Sequence, residues 1–256
     1  MIKVVQLGTI DYATGLRLQQ RLVELRKDGR IDDVLLLLEH TPVITLGRNA
    51  KAANVLASPD QLAFRGVEVY ECDRGGDVTF HGPGQLVGYP IFDLHGLASS
   101  DPRRKSLGAV EFVRKLEEML IKTCSGFGIE TGRVPGLTGV WTSREGPGKI
   151  AAIGVHISRG VTSHGFALNV NTDLDYFNLI IPCGIVARPV TSIQKETGRN
   201  IAVKEVAQSV SRSFGEVFGR EISEARALDA LLAKDIPLKF PKELRELHKE
   251  EENFWA

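Results

Sequence analysis

Apolar residues recur along the chain with two periods. Ile2–Gly8 and Asp33–Glu39 read as strands, and between them Leu18, Leu22 and Leu25 share one face of a helix. Asp11 is a suitable N-cap for that helix and Gly29 a suitable stop. Ser58-Pro59 predicts a second, short helix, because proline at the first helical position loses no hydrogen bond. Val67–Cys72 and Leu86–Phe92 read as strands around a glycine-rich connection. Leu107, Val110, Phe112, Val113, Leu116 and Leu120 keep a helical period across Ser106–Gly126. From Ile129 to Val170 the signal is of strands, with Lys149–Ile157 and Ser163–Val170 the clearest. Beyond Gly198 it turns helical: Val203, Val206, Ala207, Val210, Phe214, Val217 and Phe218 form a core-facing stripe. After Pro241, Lys, Arg and Glu at helical spacing predict a solvated helix, and Val203–Ala256 reads as a small appended helical subdomain. Strands and helices are interspersed without regular alternation, which favours α+β over a doubly wound sheet.

Composition narrows the class. At 256 residues, one large domain or two small ones are open. Hydrophobic residues at 43% and charged residues at 25% are ordinary globular usage and exclude a disordered chain. Lys+Arg and Asp+Glu are each 32, so the long-range field of a general nucleic-acid or anionic-membrane binder is missing. Apolar runs such as Val34–Leu38 are far short of the roughly 20 residues of a membrane span. No signal-peptide pattern opens the chain, and three cysteines without a CxxC argue against a disulfide framework or zinc knuckle. The expectation is a cytosolic protein.

Several standard signatures fail by counting. Gly82-Pro-Gly84-Gln-Leu-Val-Gly88 has one residue too many for GxGxxG, Gly146-Pro-Gly-Lys149 lacks the rest of a phosphate loop, and HExxH and GxSxG are absent. One region is richer. Asp73 to Gln85 concentrates four glycines and a proline, which favours close approach of main chain to a ligand, and adds Arg74, Thr79, His81 and Gln85. Cys183, in Leu179-Ile-Ile-Pro-Cys-Gly-Ile-Val186, puts a thiol where an apolar strand ends, whereas Cys72 and Cys124 fit an inert buried role. Lys149 stands at the entrance of an apolar strand, either as a solvated end or as a usable base. His164 fits a hydrogen-bonded core histidine, and His40 ends a strand.

Glu39-His-Thr-Pro-Val-Ile-Thr-Leu-Gly-Arg48, Arg74-Gly-Gly-Asp-Val-Thr-Phe-His81 and Gly82-Pro-Gly-Gln-Leu-Val-Gly-Tyr-Pro90 resemble the lipoyl(octanoyl) transferase family. Gly148-Lys-Ile-Ala-Ala-Ile-Gly-Val155, His164-Gly-Phe-Ala-Leu-Asn169 and Ile181-Pro-Cys-Gly-Ile185 complete the pattern in the family's order, over roughly residues 1–215. The resemblance implies an α+β fold of the biotin/lipoate protein ligase type, with a mixed β-sheet flanked by helices. It implies a catalytic domain over 1–220 and leaves 221–256 as a C-terminal helical extension. The implied reaction moves octanoyl from octanoyl-acyl carrier protein to a lysine of lipoyl domains. Implied acceptors are the 2-oxoacid dehydrogenase complexes and the glycine cleavage H protein. No cofactor, metal, nucleic acid or membrane is implied.

By the same resemblance Cys183 is the acyl-thioester nucleophile and Lys149 activates it and serves as acid and base. Arg74, Gly75, Gly76, Asp77, Val78, Thr79, Phe80 and His81 would line the acyl site with Ala152, Ile153, Gly154, Gly165, Phe166 and Ala167. Main-chain N–H groups near Gly184 or in the glycine-rich loop are candidate oxyanion donors. Side chains such as Ile153, Phe166 and Leu168 are expected to select chain length, and Arg103-Arg104-Lys105 is a candidate docking patch for an acidic carrier. The rival readings are an ATP-dependent lipoate or biotin ligase, a cysteine hydrolase using His81 or His164, and a non-catalytic binding module.

Overall fold

The computed structural model describes residues 1–143, 145–185 and 188–225. The first half of the chain forms β1 (Ile2–Ile10), α1 (Tyr12–Lys27), β2 (Asp33–His40), β3 (Val43–Leu46), α2 (Pro59–Phe64), β4 (Glu68–Glu71), β5 (Val78–His81) and β6 (Gln85–Ile91). There follow α3 (Ala109–Gly126), β7 (Thr131–Val134), β8 (Leu137–Thr142), β9 (Lys149–Ser158), β10 (Val161–Asn169), α4 (Ile193–Thr197), α5 (Val203–Phe218) and β11 (Ile222–Glu224). The fold is α+β, with a mixed sheet flanked by helices.

Local signals explain most boundaries. The Asp11 carboxylate accepts the Thr14 N–H at the start of α1, and Ser58 with Gln61 closes a capping box on α2. Gly219 takes the left-handed cap that ends α5. Arg159 and Gly160 both have positive φ, 52° and 81°, and make the two-residue turn that pairs β9 with β10. The third helix starts at Ala109, not at Ser106, because the Leu107 N–H is held outside it by the Leu97 carbonyl; Val110 is then exposed rather than on the core stripe.

The larger sheet has the order β11-β1-β2-β6-β10-β9-β8-β7, parallel at its first two pairings and antiparallel elsewhere. One face is buried under α3 and α5, with Phe112, Leu116, Phe214 and Phe218 against Leu35, Leu37, Phe166 and Leu168. The other face meets α1 through Leu18, Leu22 and Leu25. A second sheet, β4-β3-β5, has its own core of Ile44, Leu62, Val78, Phe80, Phe177 and Ile180.

Two expectations change. The stripe on α5 packs against α3 and the sheet, so α5 is part of the main core and not of a separate subdomain. The chain then returns to the sheet as β11, pairing Ile222 with Ile2, so a boundary at residue 220 would cut through the sheet. The helix expected after Pro241, like residues 226–256 as a whole, lies outside the described residues. No described helix is long and apolar enough to cross a membrane.

Candidate active site

Lys149 Nζ donates to Cys183 Sγ at 3.2 Å, joining residues 34 positions apart. The meeting is made by backbone. Lys149 opens β9, its N–H donates to the Pro189 carbonyl at 2.8 Å, and its carbonyl accepts from Thr191 at 2.9 Å. Six residues after the thiol, the chain is therefore stitched back to the strand that carries the lysine. Lys149 is 8% exposed, and its Nζ lies over the Trp141 ring, 5.0 Å from the centroid. A Cβ at Gly139 (φ 119°) would sit 2.6 Å from the Ala151 carbonyl and 3.0 Å from Lys149 Cε, so only glycine leaves this path open. None of the ion pairs among the described residues includes Lys149. Its side-chain hydrogen bond among the described residues goes to the sulfur.

Cys183 does not end a strand. The run Leu179-Ile-Ile leaves one 3₁₀ turn (Leu174–Leu179), and Pro182–Gly184 forms another. Cys183 itself is left-handed at φ 56°, followed by Gly184 at φ 69°. Its side chain borders a cleft between the larger sheet and the glycine-rich loop, about 480 Å³ of space that includes the open mouth of the cleft. Arg74, Gly75, Gly76, Asp77, Thr79, His81, Ala152, Ile153, Gly154, Gly165, Phe166 and Ala167 all border it.

Val78 and Phe80 do not. They lie on β5, where alternate residues face opposite ways, and belong to the core of the small sheet, while Thr79 and His81 face the cleft. What reads as one glycine-rich loop is thus a loop to Asp77 followed by a strand. The same alternation sorts the chain-length selectors. Leu168 lies away from the cleft in the cluster under α3 and α5. Phe166 belongs to that cluster and Ile153 packs against it while both also border the cleft, whose floor carries the paired small residues Ala167 with Ala152 and Gly165 with Gly154. The loop rests directly on this floor: Gly75 N–H donates to the Val155 carbonyl, and a Cβ on Gly154 would lie 2.6 Å from the Gly75 carbonyl.

Beneath the cleft runs a buried polar chain. Arg74 donates to Thr45 Oγ1 through Nε (3.0 Å) and Nη2 (2.9 Å), and to the Gly75 carbonyl through Nη1. His81 Nδ1 donates to Gln85 Oε1 at 2.7 Å, Gln85 Nε2 donates to Asn169 Oδ1, and Asn169 Nδ2 donates to the Thr191 carbonyl. Burial and the neighbouring His40 push His81 down to about 3, and burial pushes His40 down to about 4, so both are neutral near pH 7. His164 has φ 56°, which turns its ring to the Asp73 carboxylate at 2.7 Å. That hydrogen bond holds Asp73 down to about 2. Neither His81 nor His164 hydrogen-bonds Cys183; the sulfur's partner is Lys149.

Two proposed oxyanion donors are already committed: Gly184 N–H to the Ile181 carbonyl and Gly75 N–H to Val155. Three cleft residues escaped the sequence reading: Tyr12, Val87 and Tyr89. Tyr12 looks like an ordinary first-turn aromatic. Its ring stacks parallel to His81 and its buried hydroxyl has no hydrogen-bond partner. Cys124 is buried in the core and its thiol is pushed up to about 12 by burial. Arg103, Arg104 and Lys105 are exposed, with Arg103 paired to Asp101. No group of three or more His, Cys, Asp or Glu among the described residues could hold a metal ion.

Residues 11–215 match the family model of the lipoyl protein ligase A/B catalytic domain. An octanoyltransferase of Koribacter versatilis (strain Ellin345) is 58% identical over 253 residues, 98% of each chain. One of Acidobacterium capsulatum is 58% identical over 227 residues, 87% of this chain and 92% of that one. Among solved structures, the bipartite lipoate protein ligase of Thermoplasma acidophilum superposes with a TM-score of 0.68 over 97% of this chain and 90% of that one, at 16% identity. A lipoate-protein ligase A bound with ATP gives 0.66 over 98% and 94%, at 15% identity. At such identities the fold is what is shared.

Proposed function

The chain belongs to the lipoyl(octanoyl) transferase family and is an acyltransferase of protein lipoylation, and from that premise we propose that it works by a ping-pong route through an octanoyl thioester on Cys183. The donor is octanoyl-acyl carrier protein. The acceptors are lysines on lipoyl domains of 2-oxoacid dehydrogenase complexes and on the glycine cleavage H protein. We assign the reaction to the cytoplasm, where a free catalytic thiol stays reduced. The observation that carries the reading is the 3.2 Å contact between Lys149 Nζ and Cys183 Sγ at the edge of a cleft with an apolar floor.

In the first half-reaction the Cys183 thiolate attacks the donor's thioester carbonyl. The tetrahedral adduct collapses with loss of the carrier's thiolate, which takes a proton from Lys149. One thioester replaces another, so the step is nearly balanced and needs no ATP. In the second, the acceptor amine attacks the acyl-Cys183 carbonyl and neutral Lys149 removes its proton. Collapse forms the amide and returns the Cys183 thiolate beside the Lys149 ammonium, which resets the pair. With Gly184 and Gly75 N–H groups already bonded, the remaining N–H donors of Lys149 are the cation nearest the developing oxyanion. The cleft floor of Ala152, Gly154, Gly165 and Ala167 leaves room for the acyl chain, each buried methylene contributing about 0.8 kcal/mol.

The test is intact-protein mass spectrometry after mixing with octanoyl-acyl carrier protein, with Cys183→Ser alongside. One octanoyl mass is expected on the wild type, removable by hydroxylamine and by apo-lipoyl domain, and none as a thioester on the variant. Modification of the lipoyl domain only when ATP and free octanoate are supplied would overturn the reading in favour of a ligase.

A further inference from the structure

Cys183 holds a backbone conformation that a side-chain-bearing residue seldom adopts. With φ 56° and ψ 19°, followed by Gly184 at φ 69°, two consecutive left-handed residues make up the turn. Such a non-glycine conformation is strained and persists only where the surroundings over-determine it. Within the turn, Gly184 N–H reaches the Ile181 carbonyl and Ile185 N–H the Pro182 carbonyl. These bonds shape the turn but do not place it relative to the cleft.

Main-chain bonds at Leu179 and Pro189 anchor the flanks of the turn, and the restraints nearest the thiol converge on one side chain. Ile181 N–H donates to the Asn54 carbonyl at 2.7 Å, and Asn54 Nδ2 donates to Asp77 Oδ2 at 2.6 Å. Asp77 Oδ1 accepts Val78 N–H at 2.8 Å and Lys51 N–H at 3.2 Å. Asp77 Oδ2 also lies against the turn directly: a Cβ on Gly184 would be 2.7 Å from it. One carboxylate thus ties the glycine-rich loop, the 51–54 segment and the turn of the thiol into a single unit. Glycine at 184 is needed twice, for its φ and for the closeness of that oxygen.

We propose that Asp77 is a positioning residue for Cys183: through Asn54 and Gly184 it fixes the left-handed turn that presents Sγ to Lys149 Nζ. This rests on reading Cys183 as the acyl-bearing thiol, although the placement itself can be tested without that reading. In Asp77→Asn, one amide must satisfy two main-chain donors and the Asn54 Nδ2 donor, so at least one donor faces another donor. The exchanged pair, Asp77→Asn with Asn54→Asp, restores the match: the amide nitrogen introduced at position 77 would donate to the carboxylate introduced at position 54, while the amide oxygen still accepts from the Val78 and Lys51 N–H groups.

The experiment measures Cys183 alkylation by iodoacetamide and its acylation by octanoyl-N-acetylcysteamine, a small soluble thioester, in the wild type, in D77N and in the exchanged pair. D77N is expected to lower the maximal acylation rate by about 10- to 100-fold. Half-saturation for the thioester should change by less than about two-fold, because Asp77 acts on the thiol rather than on the acyl floor. Alkylation should slow in parallel, and the exchanged pair should recover both rates to within about three-fold of wild type. Unchanged rates in D77N, a loss confined to half-saturation, or no recovery in the exchanged pair would overturn the proposal. If the wild type alkylates but accepts no octanoyl from any donor, the functional reading falls, and the alkylation series alone decides the role of Asp77.

Discussion

Lys149 is asked to be both a cation and a base, and the two roles separate by substitution. Lys149→Met removes the charge from beside Cys183 and should depress both half-reactions, by roughly 10²–10⁴-fold for loss of a positioned acid–base group. Lys149→Arg keeps a cation but cannot give up a proton near neutral pH. It should still take octanoyl from the donor, more slowly because the departing carrier thiolate must take its proton from water, and then stall, because nothing removes the proton of the incoming amine. Intact-mass time courses with acceptor present would show octanoyl-Cys183 accumulating in K149R and decaying in the wild type; equal decay would rule out the base role. The residue types were legible in the sequence, and their meeting was not. Thirty-four positions separate the pair, and the link is the backbone exchange between Lys149, Pro189 and Thr191, which carries no side-chain signature. Tyr12 was equally hidden, since an aromatic directly after a helix cap reads as ordinary core.

The strands β9 and β10 determine which side chains face the acyl chain. Their register sets Ala152 against Ala167 on the cleft side and Ile153 against Phe166 on the helix side. Filling the floor should therefore shorten the accepted chain, whereas trimming Phe166 should not lengthen it. Ala152→Leu or Ala167→Leu is expected to shift preference toward shorter acyl groups, by about four-fold per methylene excluded. Phe166→Leu should lower stability with the preference unchanged. A thioester panel of six to ten carbons reads both, and a longer optimum in the Phe166 variant would refute the assignment of faces. Period-two alternation gave β1, β2, β6, β9 and β10 from the sequence because each runs seven or more residues. It missed β3 and β5, which have four residues each and are bounded by proline or glycine. These pair only with partners far along the chain, so nothing local marks them. Within β5 that omission placed Val78 and Phe80 on the wrong side.

Two buried neutral histidines tie the layers of the whole molecule together. His40 joins Ile10 at the end of β1 and Tyr89 on β6, and His81 joins the small sheet to Gln85, with the Tyr12 ring against both. Their folded values, about 4 and about 3, lie below the ordinary histidine value of 6.5. Between these limits the unfolded chain binds protons that the folded chain refuses, so stability is complete above about pH 7 and falls as the pH drops. At pH 5 the two together remove roughly 4 kcal/mol, about 2 each, which for a chain of this size lowers the melting temperature by roughly 8–16 °C. Asp73, held at about 2 by His164, adds to the loss only below about pH 4. Calorimetry from pH 7 to 5 tests this, with His81→Gln expected to flatten the slope; a melting temperature constant to pH 5 would contradict it. Because His81, Tyr12 and Tyr89 are also walls of the cleft, acid should open the acyl site before any carboxylate is neutralised. Activity lost below pH 6 should then return on neutralisation in step with refolding, and should follow the melting curve rather than the titration of a catalytic group.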